Sequence, residues 1–257
     1  MGGKYYTVTV AIEETLNGET AYADADVLFN WTRFDIPNGT ACLKSIQLVM
    51  KGTNGADANK HDIELYFAKS IEGAAPSNFG TQNDVATAPL ATACRRNIIG
   101  FKYLDASERS DDQDLIAHTV WGSGITTAAS TSVSDLILEG ESATKFSSRS
   151  DASGKMNIWV AGIAKGAFDF GTAVALNQGS GQAQTTVHTQ LTTDGTDPRN
   201  VFMKGDVVQA QDNAVIGTVV SVDSATTMTV DEVGSVLTNN DTINFKNPIE
   251  FIFGFEY

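Results

Sequence analysis

Apolar residues recur at every second position along most of this chain, which is the signature of strands with one buried face. Over Lys4 to Ile12, Tyr6, Val8, Val10 and Ile12 share one face. Val27 to Ile36 alternates again through Leu28, Trp31 and Phe34, and Pro37-Asn38-Gly39 supplies the turn that follows. Leu43 to Met50 places Ile46, Leu48 and Met50 inward, and Asp62 to Ala68 does the same with Ile63, Leu65 and Phe67. These segments predict an antiparallel meander or sandwich sheet.

The pattern then loosens. Residues 72 to 96 are small and polar with two prolines, and read as a long loop of the kind that contacts partners. Strands are predicted at Asn97 to Leu104, Leu115 to Trp121, Asp135 to Glu139 and Met156 to Ile163. Asp105 to Asp114 reads as a solvated acidic turn and residues 122 to 134 as a second flexible stretch. Ser107 to His118 is the best helical candidate, with weak periodicity.

From residue 176 the spacing tightens. Candidate strands at Val187 to Leu191, Asp206 to Gln209, Ile216 to Asp223, Thr227 to Asp231 and Asp241 to Phe245 follow one another through turns such as Asp212-Asn213. This predicts a small SH3-like or similar barrel, closing its own edges. Behind it, Ile249, Phe251, Phe253 and Phe255 line one face of a final strand that belongs inside a sheet. The expected fold is all-β: a jelly-roll-like antiparallel sandwich over 1–175, completed by 248–257, with a small β-barrel module, 176–247, inserted before the last strand. The final strand is expected beside Met156 to Ile163.

Composition narrows the function classes. The 257 residues are 42% hydrophobic, enough for a substantial core, and carry a net charge of -14. Residues 176 to 245 hold eight acidic residues against Arg199 and Lys204, a net of -6. An acidic surface repels phosphates, so nucleic-acid binding is not expected, and Arg95-Arg96 is the only adjacent basic pair. No apolar run approaches the ~20 residues that span a bilayer, and no leader pattern opens the chain. Cytoplasmic synthesis without membrane association is therefore expected, and the Asn30, Asn38 and Asn240 sequons carry no weight. Cys42 and Cys94 read as two reduced thiols, with a disulfide left open.

Chemistry-bearing patterns are sparse. His61, His118 and His188 lie in no metal-binding spacing, and no nucleophile elbow or phosphate loop is present. Ser110-Asp-Asp-Gln-Asp could offer oxygens to calcium, but lacks the glycine and terminal glutamate of an EF-hand and reads as a solvated turn. Trp31, Trp121 and Trp159 could form a sugar-stacking platform. The strand patterns around Trp31 and Trp159 favour packing instead. No enzyme activity, catalytic residue, cofactor or metal is expected.

Three segments together resemble tailed-bacteriophage virion structural proteins: FDIPNGTACLKSIQLVMKG, DIELYFAKSIEGAAPSNFG and GDVVQAQDNAVIGTVVSVDSATTMTV. The resemblance covers most of the chain and rests on style rather than on a diagnostic motif. It implies a many-copy, non-enzymatic virion subunit that binds the major capsid protein as a decoration or cement protein, as a homo-oligomer, with a trimer natural at three-fold positions. A tail, baseplate, collar or fibre component is the alternative, and a carbohydrate-binding sandwich a second one. Expected contact residues are Tyr5, Tyr6, Phe79, Pro89, Leu90 and Ile125.

Overall fold

A computed structural model describes residues 4–13, 20–37, 40–52, 62–71, 74–86, 94–105, 116–122, 136–140, 155–167, 169–177, 182–183, 189–231 and 236–257. The described strands, in chain order, begin with β1 (Tyr5–Ile12), β2 (Val27–Pro37), β3 (Thr40–Lys51), β4 (Ile63–Ala68), β5 (Ile98–Leu104), β6 (Ile116–Gly122), β7 (Leu136–Glu139) and β8 (Lys155–Ala164). Then come β9 (Val174–Leu176), β10 (Gln182–Ala183), β11 (Thr189–Gly195), β12 (Val207–Gln209), β13 (Val215–Ser224), β14 (Thr227–Asp231), β15 (Val236–Leu237), β16 (Asn244–Phe245) and β17 (Ile249–Glu256).

Two antiparallel sheets form a sandwich. One runs β1-β17-β3-β6, with β7 also pairing β3; the other runs β2-β8-β4-β5. From β1 to β4 successive strands alternate between the sheets, β4 and β5 then pair within one sheet, and the last strand returns beside the first, which is the jelly-roll arrangement of paired Greek keys. The fold is all-β and antiparallel, with a nearly closed small barrel inserted before the final strand.

The period-two pattern sets the faces. On the inner side of the first sheet the register aligns Tyr6 with Phe255 and Leu43, Val8 with Phe253 and Ile46, Val10 with Phe251 and Leu48, and Ile12 with Ile249 and Met50. Alternation in β3 would fail between Leu43 and Ile46, which differ by three residues. A bulge restores it: Gly254 faces Ser45 and Phe255 faces Leu43, so Lys44 is the extra residue. Across the sandwich, Phe34 stacks on Phe253 at 5.3 Å, Phe67 meets Phe253 edge-on at 5.5 Å, and Phe29 lies 5.7 Å from Phe251. Gly162 of β8 leaves room for the Phe29 ring, which a Cβ there would strike.

The final strand does not pair with β8, as the sequence suggested. It is bonded on both sides in the other sheet, to β1 and β3, while β8 lies between β2 and β4. Both strands are apolar on their inner faces and feed one core from opposite sheets. Ile116 to His118, the end of the helical candidate, is strand; the rest of that segment and residues 106–114 of the acidic turn lie outside the described residues.

Residues 174 to 245 build a second core around Val174, Leu191, Phe202, Val208, Ile216, Met228, Val230 and Phe245. Its sheet runs β16-β12-β13-β14-β11-β9. Leu176 N donates to Asp241 O, Asn240 N to Leu176 O and Ile243 N to Val174 O, so β9 also meets the segment leading into β16 and the sheet closes on itself. Among the described residues, a 3-10 helix at Pro198–Asn200 is capped by the Asp197 side chain.

The two cores meet at the end of β3. Lys51 Nζ lies 2.9 Å from Asp206 Oδ1 and 5.4 Å from the centre of the Phe245 ring, and Lys51 N donates to Pro248 O. Asp206 is buried, and its other oxygen accepts from Met203 N. Gly52 follows with φ +72, a conformation glycine adopts without strain, and a Cβ there would collide with the Phe170 carbonyl. The other ion pairs among the described residues are half-buried or exposed, Arg33 with Asp35 among the more open.

Three substitutions check this packing. Phe253→Ala should lower the unfolding free energy by about 3–5 kcal/mol, read from urea denaturation. Lys51→Met strands a buried carboxylate and should cost about 3 kcal/mol. Arg33→Ala, at an exposed pair, should cost under about 1 kcal/mol.

Candidate subunit-contact surface

The outer faces of the two sheets are treated differently by the chain. Behind β2, β8 and β4 lies a third apolar cluster: Val27, Trp31, Ala68, Ala161 and Ile163 from the strands, with Phe79 and Cys94 from the loop that crosses them. Trp31 and Phe79 rings are 4.7 Å apart, and Tyr66 meets Phe79 edge-on at 5.3 Å. Polar anchors hold the loop down. Trp31 Nε1 donates to Ser77 O, Asn30 Nδ2 to Gly80 O, and Phe79 N to Asn30 Oδ1. Gln82 Nε2 bonds both Tyr22 OH and Leu28 O. Main-chain bonds between Val27 and residues 83 and 84 complete the seal.

Phe79 is therefore not a contact residue, contrary to its expected role. It is fully buried, because the outer face of β2 and β4 carries Trp31 and Tyr66, whose rings need a cover. The polar composition around Phe79 hid a single plug residue. Cys94 sits beside it, its Sγ 3.1 Å from Ser77 O, and burial pushes its thiol pKa up. Neither Cys94 nor the half-buried Cys42 forms a disulfide.

The outer face of the first sheet has no such cover among the described residues. Its register lines up Tyr5, Glu256, Cys42 and Ile137 in one row across β1, β17, β3 and β7. Tyr5 is 74% exposed and Ile137 64%. The next rows align Thr7 with Gly254 and Ser45, then Thr9 with Ile252 and Gln47. Among the described residues, charge on this face comprises Glu250, the ion pair of Lys44 with Glu256 at 3.3 Å, Glu139 at the margin, and Lys51, which is taken up by Asp206. In a chain of net charge -14 this is a nearly neutral, slightly apolar plane.

Of the other expected contact residues, Tyr6 turns inward and packs against the sandwich core. Pro89, Leu90 and Ile125 lie outside the described residues, as does most of 122–134. Ile137 stands exposed on this face, a position the sequence does not signal because Leu136 to Glu139 is too short for alternation to reveal which side faces out. Trp31 is buried, and Trp159 is half-buried with Nε1 donating to Ser70 Oγ, so these two do not form an open stacking platform. A cleft of about 280 Å³ borders Trp31, but its Asn30 and Gln82 amides hold the covering loop. A second cleft of about 200 Å³ lies at the junction of the two cores, between Phe202, Met203 and Phe245. Among the described residues, no group of three or more His, Cys, Asp or Glu side chains gathers in metal-binding reach, and no helix is long and apolar enough to cross a membrane.

Two tyrosines report on the covered sheet. Burial, then the charge and hydrogen bond of Glu64, push Tyr66 up to about 12. The hydrogen bond from its hydroxyl to Asp62 pushes Tyr103 up to about 12 as well. Unfolded tyrosine ionises near 10. Because the folded state favours the neutral phenols, their contribution is present below pH ~10 and is lost as pH rises toward ~12. In ultraviolet titration, Tyr66→Phe and Tyr103→Phe should each remove a late-ionising phenol, and the double variant should flatten the loss of stability above pH ~10.

No protein-family model and no curated protein matches the chain. Solved chains with some likeness come from infectious bursal disease virus. One, from the structure of the Gx strain, has 7% identity and a TM-score of 0.19, over 100% of this chain and 42% of that one. The other, from the crystal structure of the VP2 subviral particle, has 8% identity and a TM-score of 0.18, over 99% of this chain and 41% of that one. The chain spans about two fifths of the length of these solved chains. At these scores the likeness carries no argument about function, and neither neighbour is a tailed-phage protein.

Proposed function

We propose that the chain is a non-enzymatic virion structural protein, a decoration or cement subunit that lies on an assembled shell and contacts the major capsid protein. The observation that supports this most is the asymmetry of the sandwich. One sheet is sealed by the chain's own loop. The other presents a flat, nearly neutral face whose row ends in the exposed Tyr5 and Ile137. A face low in charge is cheap to desolvate, and large apolar side chains standing above it are the usual anchors of a subunit contact. The rigid backing of phenylalanines fixes those anchors before binding, which lowers the entropy lost on association. The resemblance in segment style to tailed-phage proteins points the same way. The alternative, a tail-associated subunit, would use the same face against a different neighbour.

Copy number separates these readings. Gradient-purified heads freed of tails should carry the chain at a fixed ratio to the major shell subunit, measured by quantitative mass spectrometry. Recovery only with tails would favour the alternative, and absence from particles would reject both. Ile137→Glu should weaken binding to undecorated heads at least about tenfold with an unchanged melting temperature.

A further inference from the structure

The open edge of β1 is built to accept another strand, and we infer that it pairs with β1 of a second copy of this chain about a two-fold axis. Lys4 N donates to Tyr257 O and Tyr257 N to Lys4 O, so this is a hydrogen-bonded pair of the antiparallel ladder. The alternation of such ladders then directs the main-chain groups of Tyr6, Val8, Val10 and Ile12 toward β17. Those of Tyr5, Thr7, Thr9 and Ala11 point the other way, at exposed residues, and no described strand pairs with them.

Sheet edges are normally blunted by charge, proline or a bulge. This one has none of the three. YYTVTVAI carries no charged residue and no proline, and its register with β17 is unbroken over all eight residues. The edge extends about 27 Å. Covering β1 with a like strand also fits the charge: two copies of net charge -14 repel over most of their surfaces, and here they would meet through neutral residues.

Face parity selects the register. To keep inner residues opposite inner ones and make the most bonds, Val8 sits on the axis, Thr7 faces Thr9, and Tyr5 faces Ala11. Every outward N–H and C=O of the four exposed residues then finds a partner. Threonine pairs are favourable across strands, and the large Tyr5 meets a small residue. The same register sets Lys4 of one copy opposite Ile12 of the other. A contact of one strand from each copy is at the small end of specific interfaces, so the dimer should be weak, in the micromolar range or above. This inference stands apart from the virion reading and is tested without particles.

Sedimentation equilibrium from about 5 to 200 µM should show a monomer–dimer equilibrium. Thr9→Pro deletes an outward N–H without touching the ladder to β17. It should leave a monomer throughout with an unchanged urea midpoint, and Thr9→Lys, which keeps the backbone intact, should do the same. Val8→Cys in a Cys42→Ser background should give a disulfide-linked dimer on mild oxidation, since facing non-bonded residues are about 4.5 Å apart at Cα. A wild-type chain that stays monomeric over this range would overturn the proposal. So would a dimer that survives both Thr9 substitutions, or one that forms without cross-linking through Cys at position 8.

Discussion

The sandwich depends on one strand. β17 runs between β1 and β3, bonded along its length on both sides, and sends Phe251, Phe253 and Phe255 into the middle of the core. Its neighbours Phe34, Phe67 and Phe29 come from the opposite sheet. Without β17 the first sheet falls into an isolated β1 and a β3-centred remnant, and both inner faces lose their largest rings. Each such side chain contributes about 1.5–3 kcal/mol by burial, so one strand carries a large share of a domain's marginal stability.

The position of that strand constrains the insertion. The chain leaves β8 in one sheet and must re-enter as β17 in the other, and the six-stranded small barrel lies in the sequence between them. A closed barrel suits this place because it satisfies its own edges and asks little of its host. What joins them is compact: the Lys51–Asp206 pair, the Phe245 ring beside it, and Gly52 pressed against Phe170. The buried carboxylate fixes the geometry of the junction more than it adds stability, since pairing mostly offsets the cost of taking both charges out of water.

Much of this was legible as period two. The inner faces of β1, β4 and β17 follow directly from Val8, Leu65 and Phe253 and their neighbours, as does the existence of a separate turn-rich module. The inward placing of Ile46, Leu48 and Met50 was legible too, whereas the bulge before them is revealed only by the pairing with Gly254 and Phe255. Partnership was not legible. The apolar inner faces of β8 and β17 are equally compatible with lying side by side or across a sandwich, and the choice is made by non-local hydrogen bonding. Phe79 was misjudged for a related reason: one aromatic residue in a polar loop looks exposed until the ring it covers is known. Ile137 gave no signal because a four-residue strand is too short to show its period.

The order of synthesis now matters. The barrel is contiguous in sequence and can collapse as soon as it leaves the ribosome, but the older, larger half of the molecule must wait with a phenylalanine-lined slot open until the strand after Phe245 arrives. Throughout translation the nascent polypeptide is thus an unfinished client for chaperones, and a stalled product lacking β17 would display a sticky vacancy that quality control can recognise.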